Sequence, residues 1–123
     1  MNTLHDMHGH RVFEWQPDEN LAPRVPDVIG DASAHNADWV VVLASVLPSD
    51  FFDLKSGVAG EWTQKFVNYG RKLAIIGDIS EFVGRNKPLA DFVREANRGE
   101  QLWFLSDMPA LAERLARRPP TPR

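Results

Sequence analysis

Three short apolar runs constrain the fold of this chain more than any other feature of its sequence. The runs are WVVVL at residues 39–43, KLAII at 72–76 and LWFL at 102–105. An unbroken, largely β-branched run is typical of a strand that is buried on both faces, which is the situation of a central parallel strand. Small or polar residues follow each run, as expected where a strand leads through a loop into a helix. The chain is therefore predicted to contain a mostly parallel sheet.

The intervals between these runs have the apolar spacing of helices. In the segment before the first run, Asp27 is the expected N-cap. Ser49 is the expected N-cap of a short helix over 51–54, and the Ser56-Gly57 pair predicts a break before the next helix. The apolar stripes predicted to face the core are Val25, Val28, Ile29 and Ala32; Val58, Ala59, Trp62, Phe66 and Tyr69; Leu89, Phe92, Val93 and Ala96; and Met108, Leu111, Ala112 and Leu115.

The first residues, TLHDMHGHRVFEW, predict a β-hairpin with its turn at His8-Gly9. Pairing the two arms around this turn places Asp6 opposite Arg11 and an apolar pair, Leu4 and Phe13, on the same face. Opposite-charge and apolar pairs across neighbouring strands favour that register.

The resulting order is a hairpin followed by helices and strands in alternation, which predicts an α/β domain with a mixed, mostly parallel sheet. The chain has 123 residues, enough for one domain, which we assign to residues 1–117. The end of the chain, 118–123, is rich in proline and charge and is expected to be a frayed tail.

Composition excludes several classes of function. The net charge is −3, so no basic field indicates a nucleic-acid ligand, and the absence of cysteine excludes disulfides, thiolate nucleophiles and cysteine zinc sites. No apolar run approaches the roughly 20 residues of a membrane span, and the N-terminus lacks the features of a signal peptide. We expect a cytoplasmic protein with no membrane partner.

The helix predicted after Gly57 contains a second glycine. A helical projection of 58–69 places Gly60 with Thr63 and Val67 in a sector of small or mid-sized residues. We therefore expect this helix to be buried over more than half of its circumference, with Gly60 allowing close approach of another backbone.

Ser56 and Gly57 form a candidate switch, because a phosphate at the start of a helix gains from exposed N–H groups and the helix dipole. The alternative is an ordinary helix cap with a glycine that eases the turn. Arg85 and Lys87 follow the second parallel strand. They are the candidate positive charges that would bind an anion at the Ser56-Gly57 site. No glycine-rich phosphate-binding motif is present.

A second candidate site lies where the parallel strands end, because ligands of open α/β sheets collect at the carboxyl ends of the strands. Ser45, Ser49 and Asp78 are expected there, together with Ser106 and Asp107. The alternative is that Asp78, with Glu81, and either Ser106 or Asp107 cap the helices that follow.

Other chemistry has less support in the sequence. The cluster His5, His8 and His10 has donor groups for a metal, but residues around a turn need not point the same way, and turn polarity explains them. No Ser-His-Asp arrangement or G-x-S-x-G motif indicates nucleophilic catalysis. A phosphoacceptor receiver domain would need paired carboxylates after an early strand, and none occurs. We expect no cofactor and no metal.

Two family resemblances follow from these residues. The stretches FFDLKSGVAGEWTQKF, NYGRKLAIIGDIS and ADFVREANRG resemble the domain of unknown function 4180 family, from about the hairpin to Leu115. This resemblance implies a small stand-alone bacterial protein and does not imply any activity.

The hairpin, the alternating elements and the DLKSGV segment are also similar to STAS domains of anti-sigma factor antagonists, whose switch serine lies in a D-S-S-G-L pattern. That likeness points to Ser56, although one more residue here separates Asp53 from the Ser-Gly pair.

The sequence thus predicts a non-enzymatic regulatory or protein-interaction module of STAS-like type. The alternative is a small-molecule or anion-binding domain, with or without enzyme activity, that uses the strand ends. The four tryptophans are expected mainly in the core. The alternative for Trp15 and Trp103 is an apolar surface that binds a partner protein or a second copy.

Overall fold

The apolar runs form the strands that the sequence predicts. The computed structural model describes residues 3–17 and 24–122 and contains the strands β1 (Thr3–Met7), β2 (His10–Glu14), β3 (Trp39–Leu43), β4 (Lys72–Ile76) and β5 (Leu102–Leu105). The helices are α1 (Val25–Ala34), α2 (Val58–Asn68), α3 (Ser80–Arg85), α4 (Lys87–Arg98) and α5 (Met108–Ala116). Three short 3₁₀ turns, Ala44–Val46, Ser49–Phe52 and Leu54–Ser56, connect β3 to α2.

The strands form one mixed sheet in the order β1-β2-β3-β4-β5. β1 is antiparallel to β2, and the other neighbours are parallel. The predicted hairpin register is confirmed, since Asp6 lies opposite Arg11 and Leu4 opposite Phe13. His8 and Gly9 both have positive φ, 54° and 86°, as a two-residue turn of type I′ requires. The predicted fold class, an α/β domain that begins with a hairpin, is confirmed.

The two faces of the sheet are covered unequally. Helices α1, α2 and α4 pack on one face, where their apolar stripes meet the side chains of Phe13, Val40, Val42, Leu73, Ile75 and Phe104. On the other face, α5 packs its Leu111 and Leu115 against Val12, Trp39, Val41, Ala74, Ile76 and Trp103. The strand order follows the chain order without reversal, so right-handed crossovers bring α1, α2 and α4 to the same face.

The tryptophans belong to the core, as the sequence predicts. Trp15, Trp39, Trp62 and Trp103 are each at most 6% exposed, so neither Trp15 nor Trp103 contributes to an open surface. Trp39 and Trp103 stack with ring centroids 4.1 Å apart beneath α5. Among the described residues, no helix has the length and apolar character to cross a membrane.

The interpretation of α2 is wrong in one respect. Only Ala59, Trp62 and Phe66 of this helix are buried, while Val67 is 48% and Tyr69 61% exposed. The helix lies on the sheet along one narrow stripe, and outside the helix itself no atom of the described residues comes within 4 Å of the position that a Cβ on Gly60 would take. Close backbone approach therefore does not explain Gly60.

Two helix starts also differ from expectation. Arg24 precedes the first turn of α1, and Asp27 lies within that turn. Pro48, rather than Ser49, precedes the turn at 49–52, which is a 3₁₀ turn followed by a second one instead of a single short α-helix. The predicted break before α2 is confirmed, because Gly57 has a φ of 80° and separates the last 3₁₀ turn from the helix.

The end of the chain contacts the hairpin. The N–H of Thr121 donates to the carbonyl of Gly9 at 3.3 Å, and the Thr121 hydroxyl lies 3.3 Å from Nδ1 of the buried His10. Pro120 lies against Gly9. The segment whose composition suggests a frayed tail thus lies beside the β1–β2 turn as far as residue 122.

Candidate functional site

The carboxyl ends of β3, β4 and β5 surround a pocket of about 620 Å³, which we call the strand-end pocket. Its walls come from the first two 3₁₀ turns after β3, from the loop and helix α3 after β4, and from the start of α5. The lining residues are Leu43, Ala44, Ser45, Leu47, Ser49, Phe52, Ile76, Gly77, Asp78, Phe82, Ser106, Asp107 and Met108.

The polar residues expected at the strand ends meet in this pocket. Ser45, Ser49 and Asp78 all line it, and Ser106 and Asp107 line its α5 side. The hydroxyl-bearing residues 45, 49 and 106 are exposed, so their side chains are accessible to a ligand. The structure therefore brings together residues that lie more than 50 positions apart in the sequence.

Both carboxylates of the pocket also accept backbone hydrogen bonds near helix starts, but only Asp107 is an N-cap. Ile79 precedes α3 and Glu81 pairs with Arg85, so the predicted capping box of Asp78 with Glu81 is wrong. Asp78 accepts a hydrogen bond from the Ser80 N–H at 2.9 Å, and Asp107 accepts one from the Ala110 N–H at 2.8 Å. The side-chain and backbone hydrogen bonds from Ser80 hold the pKa of the Asp78 carboxyl below its usual value. Asp78 is therefore ionised at neutral pH, and its hydrogen bonds with Ser80 do not remove its negative charge from the pocket.

The floor and one wall of the pocket are apolar. Leu43 and Ile76 end their strands here, and the rings of Phe52 and Phe82 stack with centroids 4.5 Å apart. Phe82 is 44% exposed, which makes it one of the few large apolar side chains at the surface of the described chain. The sequence interpretation did not identify these two aromatic residues, because they come from separate short elements whose apolar spacing is too brief to show which side they face.

The charge of the pocket is entirely negative. Its two ionisable lining residues are carboxylates, and among residues 3–17 and 24–122 no lysine, arginine or histidine contributes to the lining. A pocket of this kind favours a cationic group over an anion, because an anion would be brought close to two negative charges without a compensating positive one.

Ser56 and Gly57 form an exposed turn before α2. The Ser56 hydroxyl lies 2.6 Å from the carbonyl of Asp50 and 2.7 Å from that of Asp53, and it accepts the Val58 N–H at 3.2 Å. Gly57 has a φ of 80°, a conformation that glycine adopts without strain. The hydroxyl therefore links the two 3₁₀ turns to each other, in addition to bonding the first residue of the helix.

Arg85 and Lys87 do not line the strand-end pocket. Arg85 pairs with Glu81 at 2.6 Å, and Lys87 pairs with Asp91 at 3.0 Å, each one helical turn away. Both side chains are more than 70% exposed. The two cations that the sequence suggests for an anion site are thus engaged along their own helices.

The three histidines of the hairpin have separate environments. His5 lies 3.0 Å from Glu14, His8 occupies the turn with a φ of 54°, and His10 is buried beside Thr121. Within residues 3–17 and 24–122, no group of three His, Cys, Asp or Glu side chains is close enough to hold a metal ion.

The sequence of the chain matches the model of a known family. The model of the family described as Domain of unknown function (DUF4180) matches residues 8–115, from the turn of the hairpin to the penultimate residue of α5. No curated protein and no solved structure matches the chain.

Proposed function

The chain belongs to the DUF4180 family, and we propose that it is a non-enzymatic protein-interaction module that binds a basic side chain of a partner protein. The observation that carries the proposal is the lining of the strand-end pocket, where Asp78 and Asp107 provide the only ionisable groups that the described residues place above an apolar floor. Lysine and arginine match this arrangement, because each has an apolar stem and a cationic head.

The polar and aromatic residues of the pocket suit the same ligand. The hydroxyl oxygens of Ser45 and Ser49 can accept hydrogen bonds from an ammonium or guanidinium group. The Phe82 ring lies at the pocket and is partly exposed, so it can contact either the stem of the ligand or its charge through a cation–π interaction. Exposed apolar area beside a pocket also favours a macromolecular partner, which covers more than the pocket itself.

Catalysis has less support than binding. The serines of the pocket have no histidine or lysine among the lining residues that would act as a base for their hydroxyls. The carboxylates accept hydrogen bonds at the starts of α3 and α5, which positions them as fixed negative charges.

Ser56 is the proposed point of regulation. Its hydroxyl bonds to the carbonyl of Asp50, and the same 3₁₀ turn supplies Ser49 and Phe52 to the pocket. A phosphate on Ser56 would remove this hydrogen-bond donor. It would also place a charge of about −2 close to Asp50 and Asp53. Modification is therefore expected to loosen the turn and weaken binding. A STAS-like regulatory role rests on this link, since likeness of fold alone carries no function.

The test is NMR titration of the labelled protein with N-acetyl-lysine methylamide and with the arginine equivalent, using the norleucine equivalent as the uncharged control. We expect shift changes confined to the strand-end pocket for the two cationic probes. Asp78→Asn and Asp107→Asn should weaken them, and because the asparagine side-chain oxygen can accept the same backbone hydrogen bonds, both variants should keep the fold. Equal shifts with norleucine, or shifts elsewhere on the surface, would contradict the proposal.

The regulatory part has its own test. Ser56→Asp is expected to weaken binding of the cationic probes, whereas Ser56→Thr, which keeps a hydroxyl, is expected to preserve it. If Ser56→Asp binds the probes as tightly as the unmodified protein, Ser56 is a structural cap and the regulatory role fails.

A free organic amine is the second candidate ligand, because a pocket of about 620 Å³ falls within the range of small-molecule sites. A thermal-shift screen that compares diamines and amino sugars with nucleotides and sugar phosphates distinguishes the ligand classes, since a ligand that binds the folded state raises Tm. Stabilisation by phosphorylated compounds alone would contradict both candidates and favour an anion-binding domain.

A further inference from the structure

The two edge strands of the sheet differ in whether their outward backbone groups have hydrogen-bond partners. At the β5 edge, the Phe104 N–H donates to Oδ1 of Asn97 at 2.7 Å, and Nδ2 of Asn97 donates to the Phe104 carbonyl at 3.3 Å. The amide of Asn97 therefore occupies the place of a neighbouring strand. At the other edge, β1 pairs with β2 alone, and no other described segment makes a backbone hydrogen bond to it.

The register shows which backbone groups of β1 point outward. In β2, the Arg11 carbonyl accepts from Asp38 and the Trp15 N–H donates to Val41, so the odd-numbered residues of β2 face β3. The even-numbered residues of β2 consequently face β1, where their partners are Thr3, His5 and Met7. The N–H and carbonyl groups of Leu4 and Asp6 are thus directed away from the sheet.

β1 is protected as an edge strand by little more than its short length and the charge of Asp6. It contains no proline and no lysine, and the side chain of Leu4 is 42% exposed. An edge of this kind can pair with another strand. Because Asn97 covers the β5 edge, such pairing is expected at the β1 edge.

We propose that β1 of a second copy of this chain pairs antiparallel with this edge, about a two-fold axis that passes beside His5. In this register Leu4 lies opposite Asp6 of the second copy, His5 opposite His5, and Thr3 opposite Met7. The outward groups of Leu4 and Asp6 then form four backbone hydrogen bonds between the copies, and the two sheets join into one.

Two other registers also bring outward groups together, and each is less favourable. A shift that places Asp6 opposite Asp6 brings like charges together, which is destabilising across neighbouring strands. A shift that places Leu4 opposite Leu4 pairs Asp6 and Met7 with residues before Thr3, outside the strand. The register centred on His5 is the one that uses all five residues of β1.

A second copy fits this edge better than an unrelated strand, because a two-fold contact requires one segment to complement itself. β1 meets this requirement, because in the register centred on His5 its outward N–H and carbonyl groups pair with those of the second copy and no carboxylate lies opposite another. Five residues bury less than the roughly 800 Å² per partner of a standard interface, so the dimer is expected to be weak and dependent on concentration.

Cysteine cross-linking tests the register, since the chain has no cysteine of its own. His5→Cys is expected to form a disulfide-linked dimer under mild oxidation, because residues opposite each other in a non-hydrogen-bonded pair have Cα atoms about 4.5 Å apart. Leu4→Cys is the matched control, as its two copies would lie diagonally, roughly 7–8 Å apart, and should cross-link poorly. Equal cross-linking of the two variants would overturn the proposed register.

Leu4→Pro tests the pairing without a cysteine. Proline removes an outward N–H and is tolerated at an edge strand, so the variant should unfold at a Tm close to that of the unmodified protein. Sedimentation equilibrium at concentrations up to about 1 mM is expected to show self-association of the unmodified protein and its loss in Leu4→Pro. A monomeric unmodified protein over this range, or self-association that survives Leu4→Pro with the fold intact, would overturn the proposal.

Discussion

Ala44 and Gly77 approach each other so closely at the strand-end pocket that a Cβ on Gly77 would lie 3.1 Å from the Cβ of Ala44. The two residues follow β3 and β4, which are neighbours in the sheet. Gly77 also has a φ of 141°, a conformation that other residues rarely adopt, and its N–H donates to the Leu105 carbonyl at 3.0 Å. This glycine therefore holds the ends of three strands together beneath the pocket.

Gly77→Ala is expected to lower the free energy of unfolding by about 1–3 kcal/mol, because it imposes backbone strain and a close contact with Ala44. Chemical denaturation measures the change. Gly60→Ala is the matched control: this glycine lies inside α2 with no neighbour near its Cβ position, so alanine should stabilise the protein by roughly 0.5–1 kcal/mol. Equal effects at the two sites would contradict this account of the pocket floor.

Asn97→Ala should destabilise the protein by about 1–3 kcal/mol, because it leaves the N–H and carbonyl of Phe104 without the partner that covers the β5 edge. Asn68→Ala provides the comparison, since Asn68 is exposed at the end of α2 and its side chain accepts a hydrogen bond from Gln64, which is also exposed. Thermal and denaturant unfolding of both variants gives the difference. A loss no larger for Asn97→Ala than for Asn68→Ala would show that the edge does not depend on this amide.

Asp78 should titrate below the ordinary aspartate value of 3.8, because hydrogen bonds from Ser80 stabilise its charged form. A depressed folded-state pKa contributes stability above the unfolded-state pKa, and that contribution is lost as the pH falls through the folded-state pKa. NMR titration of the carboxyl carbon measures the midpoint. Ser80→Ala removes the side-chain hydrogen bond and should move the midpoint upward. An unchanged midpoint in Ser80→Ala would assign the shift to another cause.

The contact between Gly9 and Pro120 can be measured by a double-mutant cycle. A Cβ on Gly9 would come within 2.4 Å of the Cβ of Pro120, and Gly9 also has a φ of 86°. Gly9→Ala should therefore cost more stability in the full chain than in a chain that ends at Arg118, where only the strain at φ remains. Identical costs in the two backgrounds would mean that the end of the chain does not pack on the hairpin in solution.

The strands and the helix stripes were predictable because each depends on a local periodicity. Residues 39–43, 73–76 and 102–105 are apolar on both faces, and Val25, Val28, Ile29 and Ala32 recur at helical spacing, so burial was encoded within a few neighbouring positions. The hairpin register was predictable for the same reason, since a two-residue turn determines every pair that follows it.

The role of Gly60 was not predictable, because a helical projection shows which residues share a sector but not whether another element covers that sector. Phe82 and Asn97 posed the same difficulty. The sequence contains no signal that Phe82 stacks on Phe52 across the pocket, or that an amide in α4 completes the edge of β5. Arg85 and Lys87 follow the strand end in the chain, yet helical geometry brings Glu81 and Asp91 closer to them.

The sequence by itself determined the elements, their order and the class of the fold, because hydrophobic periodicity and turn chemistry act over a few residues. It also placed Ser45, Ser49 and Asp78 at the carboxyl ends of neighbouring strands, since parallel pairing aligns those ends. Only the tertiary structure decided the character of the pocket: which side chains reach it, that its charge is wholly negative and that Phe82 remains exposed beside it. Those properties depend on how separate elements pack against one another, and contacts between distant segments leave no periodic pattern in the chain.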